Sequence, residues 1–142
     1  MSIPAVFEGG CACGAVRYEC SGPPIAMLNC HCRDCQRAGG AACSPTVVVP
    51  RSALRLIAGE PRTYKRSGES GSVASRSFCA ECGSPLYAFS SARPEFVGVR
   101  AASLDDPAWF RPSADVWTAS AQPWDVMDPE LARFAKSRTG AG

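Results

Sequence analysis

Seven of the nine cysteines in this chain fall into three short groups whose spacing is typical of metal ligands. The groups are Cys11-Ala12-Cys13, Cys30-His31-Cys32-Arg33-Asp34-Cys35 and Cys79-Ala80-Glu81-Cys82. A structural zinc ion takes four ligands in tetrahedral geometry, whereas a catalytic zinc takes three protein ligands and keeps one position open. Seven thiols therefore divide naturally into one closed set of four and one open set of three.

The two outer pairs are predicted to form a four-cysteine cluster that holds a structural zinc. Its members are Cys11, Cys13, Cys79 and Cys82. Gly14 follows the first pair and Gly83 the second, and glycine allows the positive φ that a tight turn around an ion needs. Two alternatives compete with this interpretation. Cysteine also packs as a small buried hydrophobe, and Cys79 with Cys82 has redox-motif spacing, although no βαβ pattern surrounds it.

The middle group is predicted to form a three-cysteine cluster made of Cys30, Cys32 and Cys35, which lie on only six residues. Three thiolates on one zinc leave a position for water or substrate, an arrangement that supports Lewis-acid polarisation and thiolate activation. The three cysteines are therefore candidate catalytic residues as well as metal ligands. His31 should point away from an ion that its neighbours share, and we expect it to be a partly exposed polar residue.

Four further side chains stand near these groups or apart from them. Arg33 and Arg37 flank the three-cysteine cluster and are candidates for binding a substrate or cofactor carboxylate in bidentate fashion. The alternative is that they are solvated surface residues, as most arginines are. Cys20 and Cys43 lie outside the groups and are expected to be packing residues rather than ligands.

Composition narrows the functional classes. The 142 residues carry fifteen basic and thirteen acidic side chains without a basic block, so nothing favours a nucleic-acid partner. No apolar run is long enough for a membrane span, and the N-terminus lacks the pattern of a signal peptide. We therefore expect a cytoplasmic protein, where thiols are reduced and cysteine pairs indicate metal first. The length predicts one domain over residues 1–142, with a flexible tail from about residue 137.

The segments between the cysteine groups predict a mostly β fold of antiparallel strands. Alternation at Val16, Tyr18 and Cys20 predicts a half-buried strand. Apolar runs bounded by Gly and Pro predict further strands at 25–28, 44–49, 54–57, 63–65, 73–78, 85–89, 95–99 and 114–118. Helical turns are predicted at 36–40 and 105–109, and Asp128 with Pro129 predicts a short C-terminal helix over 128–134.

Taken together, five motifs resemble the glutathione-dependent formaldehyde-activating enzyme family, also called the centromere protein V/GFA domain family. They are Gly9-Gly10-Cys11-Ala12-Cys13-Gly14, Cys30-His31-Cys32-x-x-Cys35-Gln36-Arg37 with Gly39, Arg76-Ser77-Phe78-Cys79-x-x-Cys82-Gly83-Ser84-Pro85-Leu86, Leu104-Asp105-Asp106-Pro107 and Trp117-x-x-Ser120-x-x-x-Trp124. The resemblance covers nearly the whole chain in order. It implies an Mss4-like β-tent, in which antiparallel sheets are stapled by a four-cysteine zinc.

The resemblance also implies a chemistry. The outer cysteine pairs would hold the structural zinc, and Cys30, Cys32 and Cys35 a second, catalytic one. The family's named reaction is that of a carbon–sulfur lyase, which condenses glutathione with formaldehyde to S-hydroxymethylglutathione. Partners would thus be a small thiol and an aldehyde, with neither nucleic acid nor membrane. In one departure, Asp115 stands where family members often carry a histidine, and this difference bears on substrate choice.

Two other functional classes remain open beside the enzyme. A β-tent can serve as a non-catalytic binding module, since fold does not determine function. Alternatively, Cys30, Cys32 and Cys35 can act as a thiol or metal sensor that exchanges metal or is oxidised reversibly.

Overall fold

A computed structural model describes residues 2–138, and within them the fold is predominantly β, as predicted. A first, antiparallel sheet has three strands in the order β1-β2-β5. These strands are β1 (Val6–Gly10), β2 (Arg17–Ser21) and β5 (Leu54–Ala58).

The second sheet has eight strands. They are β3 (Ala26–Cys30), β4 (Ser44–Pro50), β6 (Arg62–Ser67), β7 (Val73–Phe78), β8 (Pro85–Ser90), β9 (Phe96–Arg100), β10 (Ala114–Val116) and β11 (Ala132–Arg133). Their order across the sheet is β11-β10-β3-β4-β9-β8-β7-β6. All neighbours are antiparallel except at one edge, where β10 pairs in parallel with both β3 and β11.

Helical structure is limited to one α-helix and four short 3-10 turns in the described residues. The helix α1 (Arg33–Gly39) ends at Gly40, which adopts the left-handed conformation with φ of 69°. The 3-10 turns are Arg51–Ala53, Ala101–Ser103, Pro107–Trp109 and Thr118–Ser120. The turn predicted near 105–109 is confirmed, with the Asp106 side chain accepting a hydrogen bond from the Ala108 N–H.

The core lies where the two sheets face each other, and the alternation in β2 accounts for it. Tyr18 and Cys20 are fully buried, whereas their neighbours on the opposite face are partly exposed. From the second sheet, the core includes Val47 and Val49 of β4, Val97 and Val99 of β9 and Leu86 of β8. Phe7 on β1 meets Trp109 with ring centroids 5.0 Å apart. The burial of Cys20 confirms that it is a packing residue.

The predicted C-terminal helix over 128–134 is wrong. Asp128 does accept a hydrogen bond from the Glu130 N–H, but the chain then turns into β11. A seven-residue helix forms few internal hydrogen bonds and is marginal without packing. Here the backbone finds other partners, because the Phe134 N–H donates to the Asp115 carbonyl of β10 at 2.9 Å.

Among the helices in residues 2–138, none combines the length and apolar character needed to cross a lipid bilayer. The predicted flexible tail from about residue 137 falls largely on residues 139–142, which lie outside the described part of the chain. The single-domain boundary over 1–142 stays a prediction.

Candidate metal centres

The four-cysteine cluster joins the two sheets. Cys11 and Cys13 lie on the turn that follows β1, and Cys79 and Cys82 lie on the turn between β7 and β8. Both turns contain the expected glycines in the left-handed region, with φ of 81° at the first and 78° at the second. The cluster therefore connects an edge strand of the three-stranded sheet to a hairpin of the eight-stranded sheet.

The distances between these four thiols fit a tetrahedral ion. Cys11 Sγ and Cys13 Sγ are 3.6 Å apart, and Cys13 Sγ and Cys79 Sγ are 3.7 Å apart. All four sulfur atoms lie within 4.8 Å of one another. Tetrahedral zinc with Zn–S bonds of about 2.3 Å places its sulfur ligands about 3.8 Å apart. The four thiols can accordingly hold one metal ion, and their softness is consistent with zinc.

Hydrogen bonds favour the thiolate form, which a metal needs, in two members of this cluster, Cys11 and Cys82. The Val16 N–H donates to Cys11 Sγ at 3.2 Å and lowers the pKa of that thiol. Hydrogen bonds from Ser84 lower the pKa of Cys82 to about 5. The Ser84 hydroxyl also accepts from the Ala12 N–H at 3.0 Å, so it links the two turns directly.

The three-cysteine cluster is built on a strand end and a helix start. Cys30 is the last residue of β3, Cys32 caps the N-terminus of α1, and Cys35 lies in the first turn. As N-cap, the Cys32 side chain accepts a hydrogen bond from the Cys35 N–H at 3.3 Å. The three sulfur atoms lie within 4.8 Å of one another. They can thus hold a metal ion with three thiols, and no further Cys, His, Asp or Glu of residues 2–138 joins the set.

The thiols of this cluster differ in the direction in which their pKa is shifted. Hydrogen bonds from Cys30 and Cys32 lower the pKa of Cys35 far below that of an ordinary thiol, and the charges of Arg100 and Arg76 add to the effect. The hydrogen bond with Cys32 raises the pKa of Cys30 in turn. Arg76 reaches across from β7 and places its Nη2 atom 3.6 Å from Cys35 Sγ. Arg76 and Arg100 thus supply positive charge that favours the thiolate form of Cys35.

Neither of these arginines was a candidate in the sequence reasoning, which considered Arg33 and Arg37 instead. Arg33 donates to the Gln36 side chain at 2.6 Å, and with Arg37 it lines a shallow cavity of about 240 Å³ under the exposed Trp124. The helix brings Arg33 and Arg37 to its own surface. Arg76 lies on β7 and Arg100 on β9, and the pairing of these strands in the sheet brings them toward the cluster. No local sequence pattern predicts this approach. For Arg76, the available signal was its place in the motif that ends in the third cysteine group.

A larger cavity of about 590 Å³ has Cys11 of the four-cysteine cluster in its lining. Ser84, Ser44 and Arg100 also line it. Ser44 is the strand partner of Cys30, and Arg100 is one of the two arginines that act on Cys35. Cys43, expected to pack, is half-buried at the wall of this cavity, and burial raises its pKa to about 11.

The prediction that His31 is partly exposed is wrong, because its side chain is only 2% exposed. Its Nε2 atom lies 2.8 Å from Asp115 Oδ1. Its Nδ1 atom lies 3.0 Å from Asp125 Oδ2, an ion-pair distance without the alignment of a hydrogen bond. His31 does point away from the neighbouring thiols, as expected, but it points into a buried carboxylate pair. The sequence analysis noted Asp115 only because the resembling family often has histidine at that position, and it did not predict the contact between Asp115 and His31.

Comparisons with known proteins agree with the fold and with the family that the motifs resemble. The model of a family described as "Glutathione-dependent formaldehyde-activating enzyme" matches residues 6–120. A Halomonas elongata protein named "Putative glutathione-dependent formaldehyde-activating enzyme" is 31% identical over 104 residues, which are 70% of this chain and 66% of that protein. The chain thus spans just under two thirds of this relative's length.

The crystal structure of a Rhodobacter sphaeroides protein from structural genomics superposes with a TM-score of 0.59. Its sequence is 22% identical to this one, and the match covers 90% of this chain and 99% of that one. At this identity the likeness concerns the fold alone.

Proposed function

This chain belongs to the glutathione-dependent formaldehyde-activating enzyme family, and we propose that it is a zinc-dependent enzyme of the carbon–sulfur lyase type. Its substrates would be glutathione, or a related small thiol, and formaldehyde or a similar aldehyde. The observation that carries the proposal is the convergence of Cys30, Cys32 and Cys35, apart from the four-cysteine cluster and beside two arginines.

The two clusters would have different tasks. The four-cysteine cluster has a complete tetrahedral donor set and would hold a structural zinc. The three-cysteine cluster would hold the second zinc. When bound by three thiolates, a zinc ion keeps a fourth position and supplies stabilisation of a thiolate and polarisation of a carbonyl oxygen.

The proposed reaction needs no further co-reactant. The sulfur of the small thiol forms a bond to the aldehyde carbon, and the carbonyl π electrons move to the oxygen, which takes up the proton that the thiol gave up. Negative charge is present throughout, first on sulfur and then on oxygen. Arg76 and Arg100 are the cationic groups that act on Cys35, and they would stabilise this charge in a partly dry site.

Two places are available for the carboxylates of a tripeptide thiol. Arg33 and Arg37 can bind a carboxylate in the shallow cavity beneath Trp124, with guanidinium forks that match its geometry. The larger cavity offers Arg100 instead, and its volume of about 590 Å³ lies within the range of small-molecule sites. We assign the carboxylate contact to Arg33 and Arg37 and the reacting end to the side of Arg76 and Arg100.

The deciding experiment counts zinc and then measures turnover. Zinc per chain would be determined by elemental analysis of protein purified with and without added zinc, before and after glutathione. Exchange between glutathione and its adduct with ¹³C-formaldehyde would then be followed by NMR above the uncatalysed rate. We expect two zinc ions per chain, or a second that enters with glutathione, and faster exchange that Cys32→Ser abolishes.

One zinc ion that never becomes two, together with exchange at the uncatalysed rate, would contradict the enzyme. Matched variants refine the assignment of the arginines. Arg37→Gln should raise KM for glutathione with little change in kcat, whereas Arg100→Gln should lower kcat, because only the second faces the cluster.

The lowered pKa of Cys35 favours a second candidate, a thiol sensor. A low-pKa thiol beside two others can form a sulfenic acid and then a disulfide. Reversible disulfide formation among Cys30, Cys32 and Cys35 on mild peroxide treatment, in a chain without turnover, would favour this candidate over the enzyme.

A further inference from the structure

His31 is a deeply buried ionisable side chain outside the two clusters, and it lies in the chain between Cys30 and Cys32. Its side chain and that of Asp115 are 2% and 3% exposed, and the side chain of Asp125 is 12% exposed. Both ring nitrogens lie within 3.0 Å of a carboxylate oxygen. Buried charges are costly unless they are paired, and His31 faces one carboxylate on each side.

These groups come from segments that are far apart in the chain. Asp115 lies on β10, which pairs in parallel with β3 so that Val116 is opposite Cys30. The His31 N–H donates to the Val116 carbonyl at 3.0 Å, which ties the backbone of the cluster to the same strand. Asn29 Nδ2 donates to Asp115 Oδ1 at 3.1 Å and holds the carboxylate in place. The end of β3 is thereby fixed by its backbone and by its side chains.

Asp125 belongs to a different segment, the stretch 121–127, which we call the outer loop. This loop carries Trp124 and Val126, which are 68% and 94% exposed. Gln36 makes a second connection to this loop, since its Oε1 atom accepts a hydrogen bond from Gln122 Nε2 at 3.1 Å, while its own amide donates to the His31 carbonyl at 2.7 Å. The outer loop thus contacts the three-cysteine segment through His31 and Gln36.

The energetics favour a geometric role over one in stability. A buried ion pair is generally no better for stability than well-packed apolar residues of the same volume, but it fixes one arrangement of its members. Here the fixed residue is bonded covalently to Cys30 and Cys32. Residues in the outer shell of a metal site typically affect metal affinity by 10- to 100-fold through such orientation.

We propose that His31 is a positioning residue that uses Asp115 and Asp125 to hold Cys30 and Cys32 in their ligand arrangement and that couples the three-cysteine cluster to the outer loop. The inference rests on the proposed function only in taking this cluster as a metal site. A ligand at the cluster and the exposed face of Trp124 are then linked through one side chain. The outer loop senses whether the cluster holds metal.

The test uses the full chain and Cd²⁺, whose bonds to thiolates give a charge-transfer absorption. Titration of the reduced chain, from which zinc has been removed, should show two steps: the first fills the four-cysteine cluster and restores the fold, and the second fills the three-cysteine cluster. Cys32→Ser identifies the second step, because it should remove that step alone. In Asp125→Asn, which keeps the side-chain size but removes the charge, we expect this step to weaken by about 10- to 100-fold. The other step should not change. Glu19→Gln, which breaks an exposed ion pair with Arg55, is the matched control and should affect neither.

Coupling to the outer loop is read from tryptophan fluorescence. In the parent chain the step at the three-cysteine cluster should change the fluorescence, and Trp124→Phe should remove that change. Asp125→Asn should reduce it even at saturating Cd²⁺. His31→Gln is the second variant, and it should weaken the same step while circular dichroism stays that of the parent.

The outcomes distinguish a failure of the inference about His31 from a failure of the second metal site itself. A parent chain that binds two Cd²⁺ ions, with variants whose affinities are within twofold of it, would overturn the inference alone. Equal weakening of both steps, with a lower melting temperature, would also overturn it, because it is the result of a merely structural ion pair. A parent chain that binds only one Cd²⁺ would overturn the inference and the second metal site together.

Discussion

The two cysteine clusters of this chain both consist of thiols, but they differ in the sequence separation of their cysteines and in how exposed these cysteines are. The four-cysteine cluster draws its thiols from turns 66 residues apart and leaves two of them exposed. The three-cysteine cluster draws its thiols from six consecutive residues, one of them buried and two half-buried, beside two arginines and a buried histidine. A ligand set that closes a long loop contributes to folding, whereas one on a short, independently supported segment contributes little to it. The contrast predicts that the first cluster matters for the fold and the second for chemistry.

The largest effect is expected from breaking the four-cysteine cluster. Cys79→Ser removes the buried member of the set. A structural zinc contributes about 10–16 kcal/mol in small domains, which is as large as the whole stability of a typical domain, about 5–15 kcal/mol. We expect loss of the folded state, measured by circular dichroism and solubility at 25 °C. Cys43→Ser, which removes a thiol outside both clusters, is the control, and an unchanged melting curve for Cys79→Ser would refute the assignment.

The equivalent change in the three-cysteine cluster should spare the fold. Cys32 is the N-cap of α1, and serine is a preferred N-cap residue, so Cys32→Ser keeps the helix start. We expect one zinc ion fewer per chain and a melting temperature within about 4 °C of the parent, equivalent to about 1 kcal/mol. Elemental analysis and thermal melting measure both quantities. A collapse as large as that of Cys79→Ser would show that the clusters are alike.

A smaller effect, on the pKa of Cys35, should distinguish Arg76, which lies near Cys35, from Arg33, which contacts Gln36. Removing the charge of Arg76 destabilises the Cys35 thiolate and should raise the pKa of Cys35. After mild chelation of the second metal, the pH midpoint of Cys35 alkylation by iodoacetamide should rise by about 1 unit in Arg76→Gln. Mass spectrometry would identify the modified cysteine. Arg33→Gln should leave the midpoint unchanged, because Arg33 contacts Gln36 instead, and equal shifts in both variants would contradict the assignment.

The smallest effect is expected at the exposed rim, where Arg17 donates to both carboxylate oxygens of Asp105. The hydrogen bond from Arg17 lowers the pKa of Asp105 in the folded chain. A carboxyl whose pKa is depressed by folding stabilises the fold above its ordinary pKa, and this contribution is lost as the pH falls through the folded value. Asp105→Asn should cost less than about 1 kcal/mol near neutral pH, because the pair is exposed, and the difference should vanish in acid. The free energies of unfolding of the parent chain and of Asp105→Asn, measured by urea denaturation near neutral pH and again in acid, would test this.

Local patterns predicted the parts of this molecule that local physics determines. The Cys–Gly turns formed as expected because each needs only a few consecutive residues and a positive φ. The alternation in β2 predicted its buried face for the same reason. The helix over 128–134 failed because a short capped segment was weaker than the backbone partners offered by β10. A tertiary contact decided the outcome there.

The surroundings of the three-cysteine cluster show more clearly what local sequence patterns cannot predict. Cys30, Cys32 and Cys35 were identified from their spacing, but Arg76, Arg100 and the carboxylates around His31 were not. These groups come from β7, β9, β10 and the outer loop, and their meeting depends on strand order and on one parallel pairing. Strand order has no signature in any single segment. The convergence of the three thiols was therefore predictable, and the charged groups around them were not.

The parallel pairing of β3 with β10 also has a consequence for the order in which the molecule is made. Asp115 lies 84 residues after His31, and at about 5–20 residues per second the ribosome needs about 4–17 s to add them. During that interval the three thiols at residues 30–35 are already synthesised, but the strand that frames them is not. The four-cysteine cluster can close earlier, once the turn that carries Cys79 and Cys82 has emerged. The nascent chain can thus bring the four thiols of the first cluster together before β10 is available to frame the three-cysteine cluster.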